Sequence, residues 1–406
     1  MVTSKETMAS LAKEGSLLPQ EEMLEVGKKK GKLFIGIPKE VSFQENRVPL
    51  IPTAVQLLVN NGHKVVIETE AGISANYQDK DYSEAGAEIA YDTKTVYQAD
   101  ILLKVAPPNK DEIEMMHAKQ ILISALQLSV QPRDTLKKLI DKKVTAIAWD
   151  FIKDNEDIYP IVRAMGEIAG NTSVLIAAEY LSNVNKGKGM MLGGISGISP
   201  TEVVILGAGT VGEFATRAAI GLGASVKVFD SSIYKLRRLQ NALGMRVFTS
   251  VIQPSILMQS LKTADVVIGA IRAPYGRTPC VVSEEMVSQM KFGSVIVDVS
   301  IDQGGCFETS EVTTHAHPVQ KKYGVTHYGV TNIPSRVSKT ASIALSNIFT
   351  PILLDIGKKG SCTNLIKEDK GFRNGVYLYN GTLTSSILGE TFKLPFKDIN
   401  LFLAAF

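Results

Sequence analysis

Apolar positions along the chain come in short runs broken by proline and glycine. Residues 33–37, stopped by Pro38, predict a buried strand; residues 52–60, with proline in the opening turn, predict a helix, and 64–68 the next strand. The pattern continues with a helix over 79–84, a strand over 101–105, a helix over 111–118, a strand over 120–124, a helix over 132–140 and a strand over 144–149. Strand and helix alternating at this spacing predict parallel βαβ units. A long helix, apolar on one side and free of proline, is expected over 167–184, followed by a connection rich in glycine from Gly187 to Gly197. A second α/β unit starts at Glu202, with strands expected at 203–206, 226–229, 246–248, 266–268, 295–297 and 326–330. Residues 338–356 are again helical and apolar, placed to pack back on the first unit.

Composition narrows the function. The 406 residues carry 44 Lys+Arg against 41 Asp+Glu, a formal charge of +3, and 45% are hydrophobic. A disordered chain is excluded, and the charge balance gives no support for a nucleic-acid partner. Cys280, Cys306 and Cys362 are far apart and odd in number, so a disulfide framework or thiolate zinc site is not expected, and a reduced, cytoplasmic setting is. No unbroken run of 18 apolar residues occurs, so no membrane span is expected. Residues 1–31 are mixed and polar, without the apolar centre of a secretory signal, and read as an N-terminal extension.

The strongest motif is Gly207-Ala208-Gly209-Thr210-Val211-Gly212, placed where a strand hands over to a helix. Gly207 permits the tight turn, Gly209 lets the backbone approach a pyrophosphate, and Gly212 lets the helix pack close to the sheet. Amides at the helix start then supply donors to phosphate. The following strand ends at Asp230, whose carboxylate can accept from the adenosine ribose hydroxyls and would repel a 2′-phosphate, which favours NAD over NADP. Lys235 is a candidate for the adenosine side, whereas Arg237 and Arg238 read as a solvated helix face; the alternative is that this basic cluster accommodates NADP.

Further segments are Gly36-Ile37-Pro38-Lys39-Glu40 with Glu45-Asn46-Arg47-Val48, Leu103-Lys104-Val105, Met165-Gly166-Glu167-Ile168-Ala169-Gly170, and Leu192-Gly193-Gly194-Ile195-Ser196-Gly197. They continue in the run from Val297 to Cys306 and in Val330-Thr331-Asn332-Ile333-Pro334. With the glycine motif, these resemble the alanine dehydrogenase and pyridine nucleotide transhydrogenase family from about Leu33 to Leu383. The resemblance implies an α/β fold of two Rossmann-like parallel-sheet domains separated by a cleft, the first discontinuous in sequence. The expected boundaries are 32–175 with 335–406 for the substrate domain and 176–334 for the NAD-binding domain. Asp302 makes the chain look most like an alanine dehydrogenase, interconverting L-alanine with pyruvate and ammonium. The alternatives are an NAD(H)-binding transhydrogenase subunit or a dehydrogenase for another amino acid. A homo-oligomer, hexamer or dimer, is implied as well.

Several site residues follow. Arg47 lies after the first strand, where a guanidinium can clamp a small carboxylate, although alone it reads rather as a solvated surface arginine. Lys104 interrupts an apolar run, and by spacing alone it is either a site residue or an edge lysine reaching for solvent. The resemblance implies that Arg47 and Lys104 bind substrate, that Asp302 is catalytic and orients the nicotinamide, and that Asn332, Ala270 and Ile271 lie beside the cofactor. Gln127 stands where family alanine dehydrogenases usually carry a catalytic histidine; it can bond but cannot titrate near neutrality. Gly166 replaces a common serine and Asn171 a common arginine. Asp298 reads as structural. His63, in a turn, and His117, on a polar helix, read as surface residues, and His327 as core. His315 and His317 form too weak a pair for a metal site, so no metal is expected. Cys306 reads as buried packing.

Overall fold

The computed structural model describes residues 31–42, 44–126, 133–273 and 276–404. Its strands are β1 (Phe34–Ile37), β2 (Lys64–Glu68), β3 (Glu88–Ala90), β4 (Ile101–Leu103), β5 (Ile121–Ser124), β6 (Thr145–Ala148), β7 (Glu202–Leu206), β8 (Ser225–Phe229), β9 (Phe248–Ser250), β10 (Val266–Gly269), β11 (Val295–Asp298), β12 (Val319–Lys322), β13 (Val325–Tyr328), β14 (Val376–Tyr379) and β15 (Thr382–Leu383). They form two sheets. An eight-stranded sheet runs β15-β14-β6-β5-β4-β1-β2-β3, and a seven-stranded sheet runs β12-β13-β11-β10-β7-β8-β9. Pairing is parallel except where β14 meets β6 and β15, and where β12 meets β13. Both sheets are therefore α/β, and the first recruits its last two strands from the far end of the chain. Strands such as β10 (VVIG) and β11 (VIVD) are buried throughout, as expected for parallel sheets covered on both faces.

Six helices matter for the site: α1 (Pro52–Asn60), α2 (Lys110–Met115), α3 (Pro160–Leu181), α4 (Thr210–Gly221), α5 (Ile233–Leu243) and α6 (Ser338–Lys359). The long helix α3 belongs to both halves. Ile161 and Met165 sit in the core under the first sheet, whereas Ala169, Val174, Ile176 and Leu181 sit in the core of the second. The change of core thus happens inside an unbroken helix. Its close partner is α4: a Cβ on Gly170 would lie 2.5 Å from the Val211 carbonyl oxygen, so this glycine lets the two backbones touch. Helix α6 returns to the first core through Ala341, Leu345, Phe349 and Leu353. One segment, Ile333–Lys359, is long and apolar enough to cross a membrane by length and composition, and 56% of that window is buried within the molecule.

The expected elements are present with shifted edges. Helix α3 begins at Pro160 rather than 167, because proline opens its first turn. Helix α2 stops at Met115, where Met116 turns extended, so His117 lies on an exposed connector and not on a helix. Strand β9 begins at Phe248, whose ring packs 6.0 Å from Phe229, and not at 246. β3, β12, β14 and β15 were not anticipated: β3 and β15 are very short, and β12 (VQKK) is a polar edge strand.

Candidate functional site

The site forms where the strands of both sheets end. At the nucleotide side, β7 hands over to α4 through the glycine turn. Gly207 adopts φ +112°, and a Cβ there would fall 2.4 Å from the Ala270 carbonyl oxygen; a Cβ on Gly212 would fall 1.9 Å from that of Gly207. Gly209, in contrast, faces open space with nothing within 4 Å. A turn folded tightly on itself, an open position at its apex and the first-turn amides of Thr210 and Val211 together suit a pyrophosphate. Gly212→Ala should cost about 3 kcal/mol of stability and abolish nucleotide binding, read by denaturant unfolding and NADH fluorescence.

Around this turn the other residues fall as follows. Asp230 is buried; Oδ2 accepts from the Ala208 N–H at 2.7 Å and Oδ1 from the Ser232 N–H at 2.8 Å. The turn itself thus fixes this carboxylate, leaving its remaining lone pairs for a ribose. Ala270 donates its N–H to Leu206 O at 2.7 Å, and Ile271 donates its N–H to Ser300 Oγ at 3.0 Å, so both border the glycine turn or the Asp302 turn. Lys235 is exposed in the first turn of α5. Arg238 corrects the expectation of a merely solvated face: its Nη2 donates back to Ala208 O at 3.3 Å. It also lines a cavity of about 190 Å3 with Arg163, Thr210, Glu213 and Ala242. Gly166 packs beside Thr210 and Val211.

Asp298, at the end of β11, is structural. Its carboxylate accepts from the N–H groups of Ser300 (3.0 Å) and Cys306 (3.1 Å), pinning both ends of the turn that carries Asp302. Burial pushes this carboxyl up to about 6, opposed by those hydrogen bonds. Cys306 is buried, its thiol 3.6 Å from Asp298 Oδ1. Asp302 reaches the water of the cleft, yet both lobes crowd it. That crowding raises its carboxyl above the ordinary value, against the Asn332 N–H and the charge of Arg47, which lower it.

The substrate side consists of two linked ion clusters. Arg47 is 5% exposed and held by Glu45: Nε to Oε1 at 2.7 Å, Nη2 to Oε2 at 2.6 Å. Its third nitrogen, Nη1, meets only the Met165 sulfur, at 3.3 Å, among the described contacts. Burial alone would raise the Glu45 carboxyl, but the charge and hydrogen bonds of Arg47 outweigh it and hold it below the usual value. Lys104 is fully buried, which excludes the solvent-reaching alternative; Nζ donates to Glu112 at 2.7 Å and Glu40 at 3.1 Å. Burial works against its charge, and the two glutamates overcome that and raise its pKa, keeping the ammonium protonated. Glu40, unlike Glu45, moves up: burial raises its carboxyl despite Lys104, with Glu45 adding to the rise. Four carboxylates, Asp302 included, therefore surround two cations.

Direct bonds join the two sides. Asn332, at φ +57°, donates its N–H to Asp302 Oδ1 at 2.9 Å and its Nδ2 to Glu45 Oε2 at 2.9 Å. Arg47, Asp302 and Asn332 are thus brought together, while Lys104 joins them through Glu40, whose charge Arg47 feels. Gln127 lies outside the described residues, as do residues 1–30; the chain is described up to Leu126, just past β5 and next to the strand that leads to Lys104.

Glu40, Glu45 and Glu112 were not anticipated as site residues. Glu112 looks in sequence like a capping-box residue, and it is one: Oε2 accepts the Asn109 N–H at 2.8 Å while Oε1 serves Lys104. The available signal was a lysine inside an apolar run, which demands a buried counter-charge. His63 also departs from expectation, since it is buried with Nδ1 accepting from the Leu33 N–H at 3.3 Å, against helix α6 at Gly357. His327 is buried as expected, its Nε2 2.8 Å from Thr309 Oγ1.

Comparison with known proteins agrees with this fold. The family described as "Alanine dehydrogenase/PNT, N-terminal domain" matches residues 36–169, and "Alanine dehydrogenase/PNT, C-terminal domain" matches 173–386. The chain is 40% identical over 366 residues to the alanine dehydrogenase of Methanococcus maripaludis, covering 90% of this chain and 98% of that protein. It is 38% identical, with the same coverage, to alanine dehydrogenase 2 of Staphylococcus aureus. Among solved structures it is similar to an L-alanine dehydrogenase (TM-score 0.83, 37% identity, 88% of this chain and 99% of that one). A transhydrogenase from Sinorhizobium meliloti shares the fold (TM-score 0.74, 22% identity, 87% and 99%).

Proposed function

The chain belongs to the alanine dehydrogenase and pyridine nucleotide transhydrogenase family, and from that premise we propose that it is an NAD-dependent alanine dehydrogenase. L-alanine, NAD+ and water give pyruvate, ammonium, NADH and a proton, reversibly. The observation that carries the proposal is the cleft-spanning cluster in which Arg47 and Lys104 meet Asp302 and Asn332 through glutamates. The glycine turn and Asp230 would hold the dinucleotide, whose nicotinamide accepts or returns the hydride.

Each residue then has a physical task. Arg47 offers its Nη1 end to the substrate carboxylate, since the other edge is filled by Glu45. Lys104 stays protonated and therefore stabilises negative charge on the substrate oxygen rather than acting as a base. Because it is fully buried, a substrate oxygen reaches it only if a glutamate gives way. Glu40 is the looser partner, at 3.1 Å against 2.7 Å for Glu112, and burial raises its carboxyl above the ordinary value. Asp302 accepts a proton from the water that adds to the imine and returns it to the departing amine. Asn332 fixes Asp302 through its N–H. With glutamine at 127, proton transfer falls to Asp302 and water.

Purified protein should reduce NAD+ with L-alanine about a hundredfold more efficiently than NADP+, because Asp230 opposes a 2′-phosphate. Initial rates at alkaline pH, followed by NADH absorbance, check this. The absence of NADH across millimolar alanine would end the proposal. Gln127 favours a second reading, a nucleotide-binding transhydrogenase module; hydride exchange between two nucleotides without any amino acid would identify it. A cytoplasmic homo-oligomer acting on small molecules belongs to the main reading.

A further inference from the structure

Residues 44–46 reach from the substrate lobe toward the nucleotide side, meeting His315 there and Ser335 where the chain returns. Gln44 Oε1 accepts the His315 N–H at 2.5 Å, the Asn46 N–H donates to Ser335 Oγ at 2.8 Å, and Ser335 Oγ donates to Gln44 O at 2.6 Å. Glu45 lies at the centre of this bridge, 2% exposed. One oxygen holds Arg47 Nε and the Arg47 N–H, and the other is shared by Arg47 Nη2 and Asn332 Nδ2. The Nε/Nη2 edge of the arginine is therefore occupied by an internal carboxylate.

We propose that Glu45 is a positioning residue through which the nucleotide lobe, by way of Asn332, sets the orientation of Arg47 and leaves its outer, Nη1-bearing end for the substrate carboxylate. The inference rests on the reading of Arg47 as the substrate's carboxylate ligand. Its physical ground is that a fork-to-fork pair has one preferred geometry, whereas a guanidinium held by the Met165 sulfur alone has many. Because Asn332 contacts both Asp302 and Glu45, a shift of the nucleotide lobe is felt at the arginine without any contact between arginine and cofactor. The chemistry that fits the remaining Nη1 end is a small carboxylate held by one edge, such as a short 2-oxo or 2-amino acid.

The test uses the full-length protein with pyruvate, ammonium and NADH. Glu45→Gln keeps the shape and loses the charge; KM for pyruvate should rise about tenfold while kcat stays within about threefold and NADH affinity within about twofold. Adding Asn332→Ser to Glu45→Gln should raise KM no more than about twofold further, because the two act as one unit. An unchanged KM in Glu45→Gln, a parallel collapse of kcat and NADH affinity, or full multiplicativity of the two substitutions would each overturn the proposal. Should Glu45→Gln fail to fold, Glu45→Asp, which withdraws the carboxylate by one methylene, is judged by the same outcomes. Arg47→Lys separates the premises. If it leaves KM unchanged, the reading of Arg47 fails; if it raises KM while the Glu45 variants do not, only the present inference fails.

Discussion

Lys104→Ala should remove deamination while NADH still binds. The ammonium is fully buried between Glu40 and Glu112, so it combines two roles that the substitution strips at once. As the cation proposed to face the substrate oxygen, its loss should lower kcat/KM on the order of a thousandfold. As the counter-ion of two buried carboxylates, its loss leaves charges without compensation and should cost about 3–5 kcal/mol of stability. Part of that cost is avoided because Glu40 already sits above the ordinary carboxyl value and takes up a proton. The expected pattern is a folded, less stable protein that titrates with NADH and turns over almost nothing. Activity within about twofold of the parent would remove Lys104 from the site.

Asp302→Asn should be nearly as severe, by about a thousandfold in kcat, because asparagine keeps the shape but cannot take a proton. Its effect has a pH signature. The carboxyl is raised by crowding in the cleft, so the charged, proton-accepting form is lost as pH falls through a value above the ordinary one for aspartate. The parent enzyme should therefore lose kcat on its acid limb earlier than an exposed carboxylate would allow, and the variant should lack that limb. A pH-independent parent over the mildly acidic range would contradict the role. Lys104 leaves no competing limb near neutrality, since its glutamates move it upward, away from that range.

The two-sheet organisation was legible because parallel strands are buried on both faces and write themselves as short apolar runs between amphipathic helices. The glycine turn was legible because Gly207 and Gly212 meet backbone oxygens that no side chain could face. Arg47, Lys104 and Asp302 were legible only through resemblance, since spacing cannot show that a lysine at one strand end meets an acid eight residues on. The glutamates stayed hidden for the opposite reason: surface-type residues in a polar loop or a helix cap look solvated until the chain brings their buried partners to them. Glu45 is buried by contacts nearly three hundred residues away in sequence, to Asn332 and, through its neighbours, to Ser335. His63 was misplaced likewise, because helix α6, which covers it, arrives from the far end of the chain.

Helix α3 has a mechanical consequence. A string-like tether would let the lobes drift apart in any direction, but an unbroken helix of 22 residues, embedded in both cores, holds them at a fixed spacing along its length. The crevice is then braced from behind like the spine of a book, so that its two jaws face each other in one register.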